Sequence, residues 1–377
     1  MKGAALSAQI KTASPARVAR NLAQARITGS APTAGAVFVS GALARRAVEL
    51  GALLAEALPG TALIIASGAG VLTEQGEQER EDAASAILWR QGKATPLVGS
   101  GRTVDEGCES LAEQLRHLKG PQACATALVF ARPDGVTPAA LQPLAATPLG
   151  ARMFGGGTIG GCDPVVVHPK GSVIRAPIAA LLLHTSPPLL RSSPACRLLC
   201  DPMRISRVRG SMVLELDGEP ALDVLSRVGR GLPDSPLVFA VLGVPATGIP
   251  RGQVVRAVQG VDPIRSGIMV SEEAVVGREL SFGVRDPAVA RADLERHLHE
   301  MEQELAGAAP VFGIYVNCAG RGSGLYGVGD VDTRLIRHRF GNMPVAGMQS
   351  SFEIVPMGDA PALQLYSGVM ALFTAPS

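Results

Sequence analysis

The sequence contains three units in which an apolar strand is followed by a helix-like connector and a second apolar strand. Their first strands are residues 36–40, 127–131 and 312–318. The second strands follow after about 24 to 32 residues, a separation that suits a helical crossover between parallel strands. Units of this kind bury their apolar faces against one another. The repeat therefore predicts that a strand–helix–strand unit occurs three times in the fold.

The segments that follow the second strands also resemble one another. Small-residue loops follow at residues 67–70 and 155–161, and hairpins or further apolar runs come next. Helical periodicity in the connectors places them outside the sheets. We expect a mixed α/β (α+β) fold of layered mixed β-sheets with outer helices, built from pseudo-symmetric strand–helix–strand–hairpin units.

A different block lies between the second and third units. It contains a strand pair around residues 204–216, apolar strands after residue 237, and an amphipathic helix that Asp286 caps. The Gly-rich segment near residue 229 marks a boundary. We predict an N-terminal extension at 1–33 with a short amphipathic helix, a first module at 34–228 and a second module at 229–377.

Composition excludes several classes of function. A net charge of +2 and an aromatic content of 3% are atypical of a nucleic-acid-binding protein. The mean hydropathy is +0.24, yet no apolar stretch reaches the roughly 20 residues that a membrane-spanning helix needs. The N-terminus has no apolar core of a secretory signal. These features predict a cytoplasmic protein with no nucleic-acid partner and no membrane insertion.

Several stretches resemble a known family. The second half closely resembles the C-terminal module of FIST-domain sensory proteins at residues 282–286, 313–322, 344–354 and 366–373. The first half is similar to the matching N-terminal module at residues 37–40, 59–60, 66–71 and 210–218. The resemblance covers roughly residues 34–373. It departs from the family at 349–352, where Gln-Ser-Ser-Phe replaces a Gly- and Asn-rich sequence.

The resemblance implies a bacterial-type sensor of a small, amino-acid-like metabolite. Some relatives are proposed to bind haem and report nitric oxide. The sequence shows no kinase, cyclase or methyl-accepting region, so we expect a separate signalling protein to transmit the signal. The low aromatic content favours a small polar or aliphatic ligand over a large planar one.

The strongest local candidate for a site is the loop at residues 318–327. It follows a strand and precedes a helix, where backbone N–H groups point outward. Arg321 can clamp a ligand carboxylate through its planar two-pronged donors. Its alternative role is a salt bridge to Asp330, Asp332 or Glu353.

We expect a ligand cleft between the two modules, where the glycine loops of the repeats converge. Its predicted wall consists of Cys318, Arg321, Gly322, Gly324, Ser67, Gly68, Gly160, Asp163 and Glu353.

Other interpretations remain open at this stage. The chain can be an enzyme that acts on a carbonyl-containing molecule with Cys318 as nucleophile, although no catalytic residue is otherwise assigned. It can be a scaffold for a partner. No cofactor or metal is expected, since the six cysteines show no ligand spacing; His168 or His338 would hold haem in that alternative. The acidic residues between 74 and 81 are interpreted as a solvated face.

Overall fold

The computed structural model describes residues 4–25, 31–90, 92–118, 125–230, 232, 237–243 and 253–375. The chain forms two compact units. Unit 2 comprises Pro194–Ala290 and Gln364–Tyr366, and unit 1 comprises Met1–Ser193, Arg291–Leu363 and Ser367–Ser377. Unit 1 therefore takes its elements from both halves of the sequence.

Side-chain caps mark the start of helices α1 (Pro15–Gln24) and α6 (Pro287–Glu304). Ser14 accepts a hydrogen bond from the N–H of Arg17, and Asp286 accepts from the N–H groups of Ala288 and Val289. In the described part of the chain, every helix is too short or too polar to cross a bilayer. The helices are α1 (Pro15–Gln24), α2 (Ala47–Ala57), α3 (Val104–Arg116), α4 (Gln142–Ala145), α5 (Ala221–Val228), α6 (Pro287–Glu304), α7 (Ser323–Tyr326) and α8 (Val331–Phe340).

Most of the strands are short and apolar, and many are buried on both faces. The first group is β1 (Ala5–Lys11), β2 (Ala34–Val39), β3 (Ala62–Ser67), β4 (Gly70–Thr73), β5 (Gly76–Glu79), β6 (Ala83–Trp89), β7 (Lys93–Gly99), β8 (Thr126–Ala131), β9 (Met153–Gly157), β10 (Val165–Val167), β11 (Val173–Arg175), β12 (Ile178–His184) and β13 (Leu189–Pro194). The next group is β14 (Cys196–Leu198), β15 (Met203–Arg209), β16 (Met212–Leu216), β17 (Glu219–Pro220), β18 (Val238–Gly243), β19 (Gln253–Asp262), β20 (Gly267–Val270) and β21 (Glu279–Arg285). The last group is β22 (Pro310–Cys318), β23 (Val345–Ser350), β24 (Glu353–Met357), β25 (Ala360–Gln364) and β26 (Ser367–Thr374).

Three six-stranded sheets in unit 1 share one arrangement. Each has a central parallel pair, namely β2 with β3, β8 with β9, and β22 with β23. The crossover between the strands of each pair contains helical segments: α2, α4, and α7 with α8. Antiparallel strands flank each pair on both sides. The predicted fold class, with layered mixed sheets and outer helices, is confirmed.

Each sheet also receives a hairpin that follows the parallel pair of another sheet. The β4–β5 hairpin follows β3 but pairs with β23, the β10–β11 hairpin follows β9 but pairs with β3, and the β24–β25 hairpin follows β23 but pairs with β9. Each of these hairpins is hydrogen-bonded to a sheet other than the one whose strand precedes it, so the three sheets are connected within one unit. It also brings β5 beside the loops that follow β22.

The inner faces of the three sheets form a common apolar core. Phe38, Phe130, Phe154, Ile314 and Met348 all belong to it. Because all of these side chains are buried, the core holds the strand ends of the three sheets in fixed positions. On the outer face of β22 and β23, a second apolar cluster packs against α6 and α8.

Unit 2 is a closed ring of six antiparallel strands. The order is β21, β15, β16, β20, β19 and β18, and β18 pairs back onto β21. Its small core includes Phe239, Val241 and Val255, with Tyr366 stacked on Phe239 at a centroid distance of 4.1 Å. Strand β19 is ten residues long and was not expected from the sequence.

Two local expectations are wrong. Residues 155–157, expected in a loop, complete strand β9, because their backbones pair with β8 and β24. Of the acidic residues between 74 and 81, expected on a solvated face, Glu77 and Glu79 are half-buried on strand β5 of the β4–β5 hairpin, whereas Glu81 is exposed. In addition, residues 5–11 of the N-terminal extension form β1, which pairs along its whole length with β6.

Candidate functional site

The loops after three of the parallel strands lie against one another in unit 1. Ser67 Oγ donates to the carbonyl of Ile159 at 3.3 Å, and the N–H of Ala69 donates to the carbonyl of Gln349 at 2.8 Å. The N–H of Ser351 donates to the carbonyl of Gly157 at 3.2 Å. The segments that follow β3, β9 and β23 are therefore joined by their backbones.

Gly68 lies at a close contact within this junction. A Cβ atom at this position would stand 2.8 Å from both the carbonyl oxygen of Gln349 and the Cβ of Met348. Such distances are too short for any side chain. Glycine at position 68 therefore permits the close approach of β3 and β23.

Arg321 lies in a fully buried ion pair above the outer face of β22. Its Nε donates to Asp332 Oδ2 at 2.9 Å and its Nη2 donates to Oδ1 at 3.2 Å, with the two residues 1% and 0% exposed. One two-pronged edge of the guanidinium is thus occupied by a residue of α8. The salt bridge foreseen as an alternative role for Arg321 is present.

Two tyrosines, an asparagine and a backbone carbonyl complete this cluster. Tyr315 and Tyr326 donate their hydroxyls to Asp332 at 2.8 and 2.7 Å, and Asn317 Nδ2 donates to it at 3.2 Å. Arg321 Nη1 donates to the carbonyl of Ser193 at 3.0 Å. We call the cluster the Arg321 centre; its members are Ser193, Tyr315, Asn317, Arg321, Tyr326 and Asp332.

The protonation states in the Arg321 centre follow from burial and pairing. Burial alone would raise the pKa of Asp332, but the charge and hydrogen bonds of Arg321 hold that pKa below its usual value. Burial raises the pKa of Tyr315 well above its ordinary range. At neutral pH the centre therefore consists of one carboxylate, one guanidinium and neutral phenols.

Three buried polar atoms at this centre have no hydrogen-bond partner among the described residues. They are Ser193 Oγ, Asn317 Oδ1 and Gln349 Nε2, on residues that are 1%, 0% and 3% exposed. Asn317 and Gln349 are register partners on the parallel strands β22 and β23. Because nearly all buried polar atoms in proteins are hydrogen-bonded, this concentration requires a physical explanation.

The loop after β22 closes over these atoms at Gly322. Gly322 has φ +63°, and a Cβ there would lie 2.2 Å from Glu79 Oε1 and 2.7 Å from Gln349 Nε2. Next to it, the N–H of Ser323 donates to Glu79 Oε1 at 2.8 Å, and the Ser323 hydroxyl donates to the other oxygen. The β4–β5 hairpin therefore holds this loop in place.

Glu353 lies at the start of β24 and is fully buried. Ser350 Oγ lies 2.8 Å from Glu353 Oε1, and the hydroxyl and N–H of Ser367 donate to Oε2 at 2.7 and 3.1 Å. Burial raises the pKa of Glu353 to about 7, although these hydrogen bonds act in the opposite direction. Ser350 Oγ also lies 3.0 Å from the carbonyl of Asn317. Since a hydroxyl carries one proton, both contacts are satisfied when Glu353 is protonated and donates to Ser350.

The other predicted wall residues lie in different surroundings. Cys318 ends β22, is buried, and accepts a hydrogen bond on Sγ from the N–H of Gly320 at 3.3 Å. Gly324 lies in α7 and Gly160 in the loop after β9, both beside open space. Asp163 pairs with Arg132 at 3.1 Å. Thus the structure brings Arg321 and Gly322 to the Arg321 centre, and it places Gly160, Gly324 and Asp163 outside the contacts of that centre.

The two histidines named for the haem alternative lie on separate elements. His168 follows β10, and burial lowers its pKa. His338 lies in the last turn of α8 and lines a surface cavity of about 220 Å³.

Sequence reasoning missed the acidic residues of β5. Glu77 and Glu79 are two positions apart on one strand, so they share a face. Neither carboxylate oxygen of Glu77 is exposed or hydrogen-bonded among the described residues, and burial raises the pKa of Glu77 to about 8. At residues 76–79, glutamates alternate with other residues. This pattern indicates a strand, but it does not show which face of the strand is buried.

Models of two protein families match this chain. The FIST N domain matches residues 33–219, and the FIST C domain matches residues 221–356. The chain belongs to the FIST family. FIST domains are known as sensory domains.

Curated relatives of this FIST protein include uncharacterized proteins of mycobacteria. The chain is 33% identical over 193 residues to Uncharacterized protein Rv0628c of Mycobacterium tuberculosis, and 32% identical over 193 residues to Uncharacterized protein Mb0898c of Mycobacterium bovis. Each match covers 48% of this chain and 49% of the relative. The chain therefore spans about half the length of the curated relatives it matches.

Proposed function

We propose that this FIST protein is a cytoplasmic sensor that binds a small polar metabolite at the Arg321 centre and signals to a separate protein. The observation that carries the proposal is the set of unpartnered atoms on Ser193, Asn317 and Gln349. A buried donor or acceptor without a partner costs about 1 to 3 kcal/mol, and a bound polar molecule removes that penalty.

The local chemistry supports a ligand that is small and polar. The free groups are a hydroxyl, an amide oxygen and an amide nitrogen, which together can accept and donate hydrogen bonds. Arg321 is held by Asp332 and Tyr326, so it acts here by fixing the position of the loop. The glycine at position 322 allows the loop to approach Gln349 Nε2 closely, since a Cβ there would lie 2.7 Å from that atom.

A pair of glycine variants tests this proposal. Gly322→Ala places a methyl group against Gln349 and Glu79, whereas Gly329→Ala lies in the same loop but faces open space. Native mass spectrometry of freshly purified full-length protein is the measurement. We expect a small bound mass in the wild type and in Gly329→Ala, reduced at least tenfold in occupancy in Gly322→Ala.

Circular dichroism must show that both variants retain the fold. A bound species that survives unchanged in folded Gly322→Ala would move the site away from the Arg321 centre. Wild-type protein that carries no small molecule, and whose melting temperature does not rise with any member of a polar metabolite library, would contradict ligand sensing, because binding to the native state raises stability.

A further inference from the structure

The unpartnered polar atoms of the Arg321 centre are closed off from solvent. Ser193, Asn317 and Gln349 are 1%, 0% and 3% exposed. The side chain of Gln349 lies between two glycines: a Cβ at Gly70 would stand 2.7 Å from its Oε1, and a Cβ at Gly322 would stand 2.7 Å from its Nε2. A molecule from solvent therefore reaches these atoms only after one of the two flanking segments moves.

The β4–β5 hairpin, which carries Gly70, is held by several contacts. Residues 71–73 of β4 pair with residues 346–348 of β23. In the turn of the hairpin, Glu74 accepts from the hydroxyl of Ser7 at 2.7 Å and from the N–H of Val345 at 3.0 Å. Opening on this side would break sheet pairing as well as these contacts.

The other flanking segment, residues 322–328, is a small turn closed on itself. The N–H groups of Leu325 and Tyr326 donate to the carbonyl of Gly322, at 3.1 and 2.9 Å. Gly322 and Gly327 have φ values of +63° and +72°, a region that glycine adopts without strain. The segment therefore has residues that can act as hinges near its two ends.

Both ends of this segment are anchored to the rest of unit 1. Arg321 precedes the segment and is fixed by its buried ion pair with Asp332. Asp330 follows the segment, and its Oδ1 accepts from the N–H of Glu77 at 2.6 Å. The segment can therefore move while both anchors stay in place.

Two side chains hold the segment in its closed position. In the described part of the chain, its hydrogen bonds to the rest of unit 1 involve Tyr326, which donates to Asp332, and Ser323. Glu79 of β5 accepts from the N–H of Ser323 at 2.8 Å and from its hydroxyl. Hydrogen bonds to a carboxylate are stronger than those between neutral groups. Since Glu79 lies in the FIST N match and Ser323 in the FIST C match, this contact joins the two family domains.

We infer that residues 322–328 are a lid over the Arg321 centre and that Glu79 is the latch that keeps the lid closed. The inference rests on the proposed function and adds the route by which the ligand enters. The latch lies outside the ion pair of Arg321 with Asp332. Its loss therefore shifts the lid toward the open form without unfolding unit 1.

Hydrogen exchange measures the opening of the lid without a ligand. Glu79→Ala removes both latch contacts, and in this variant the amides of Leu325, Tyr326 and Gly327 should exchange about tenfold faster than in the wild type. Ser323→Ala removes only the hydroxyl contact, so its effect should be smaller, about threefold. The amides of β22 are the internal reference and should exchange at the wild-type rate in both variants.

Glu81→Gln is the matched control for the latch. Glu81 is exposed and pairs with Lys11, so the lid amides of this variant should exchange as in the wild type. Unchanged exchange at 325–327 in Glu79→Ala would overturn the latch. Faster exchange that extends into β22 would also overturn it, because Glu79 would then stabilise unit 1 as a whole.

Release of the bound molecule separates the lid from the proposed function. Native mass spectrometry during dialysis follows the co-purified molecule, or the library member that raises the melting temperature. We expect it to leave Glu79→Ala about tenfold faster than wild type or Glu81→Gln. Equal release rates, in a variant whose lid amides exchange faster, would overturn the entry route and yet leave a ligand at the Arg321 centre. Protein that carries no small molecule and does not respond to the polar metabolite library would overturn both the proposed function and the entry route.

Discussion

Each unit of this protein buries a cluster of arginine and carboxylate side chains, and the two clusters differ in charge balance. In unit 2, Glu272 accepts from Arg256 Nε on one oxygen and from Arg278 Nη1 on the other. In unit 1, one arginine pairs with Asp332, while the carboxylate oxygens of Glu77 have no partner in the part of the chain that the structure describes. The carboxylate of unit 2 is therefore fully paired, and the acidic cluster of unit 1 is not.

The difference shows what each cluster is suited to do. Arg278 also donates to the carbonyl of Gly243 at 2.7 Å, so the cluster of unit 2 connects β18, β19 and the segment between β20 and β21. Both oxygens of its carboxylate are paired without an added molecule. The cluster of unit 1 contains buried polar atoms without a partner among the described residues, and the proposed function rests on these atoms.

The largest expected effect comes from breaking the ion pair of unit 1. Asp332→Asn leaves Arg321 buried without a counter-charge, and we expect the free energy of unfolding to fall by about 3 to 5 kcal/mol. Urea unfolding measures the loss. The control Glu302→Gln, in an exposed pair with Arg339, should leave the midpoint unchanged. A stable Asp332→Asn protein would mean that the tyrosines alone hold the loop.

A smaller effect is expected from the corresponding change in unit 2. Glu272→Gln retains one acceptor oxygen, and Arg278 is partly exposed, so we expect a loss of about 2 to 3 kcal/mol. Hydrogen exchange should show faster opening of β19 with β22 unaffected. Faster exchange in β22 would contradict the separation of the two clusters, as would any loss of ligand from the Arg321 centre.

The smallest expected change in the free energy of unfolding is an increase, and it comes from replacing Glu77. The pKa of Glu77 is raised in the folded state, so its ionisation destabilises the ligand-free protein as pH rises from about 5 through 8. Glu77→Gln removes this dependence. We expect the variant to be more stable than ligand-free wild type at pH 9, measured by thermal unfolding across pH 5 to 9. Parallel profiles for both proteins would show that Glu77 is already paired.

Local patterns predicted much of the fold. A helix was expected after the loop at residues 318–327, and the structure has α8 at Val331–Phe340. Each of the three parallel pairs was anticipated from strand spacing and from the helical connector between the strands. These features depend on periodicity within about thirty residues, which a sequence displays directly.

Strands whose partners are distant in sequence were harder to predict. The β4–β5 hairpin is polar, and it forms an ordered part of the sheet because β23, some 270 residues later, pairs with it. Strand β1 likewise depends on β6. No local pattern identifies such partners, so polar or mixed segments were assigned to loops.

Loop position predicted which residues lie beside the end of β22, and a role of these residues in ligand binding stays a prediction. Arg321 and Gly322 were chosen because they follow a strand, and both belong to the polar region above β22. Asn317 and Gln349 were missed because nothing in a strand sequence shows that an amide will be buried without a partner. Glu77 was misread because acidic residues are usually solvated.

For this protein, the sequence by itself determined the family, the three strand–helix–strand units and the glycine loops that end them. Tertiary structure alone decided which polar groups are desolvated and which of these have a hydrogen-bond or ion-pair partner. Desolvation depends on atoms that other segments bring together, and pairing depends on distances of a few ångströms between residues far apart in the chain. For that reason Arg321 is neutralised by Asp332, whereas the carboxylate oxygens of Glu77 are buried without a partner among the residues described.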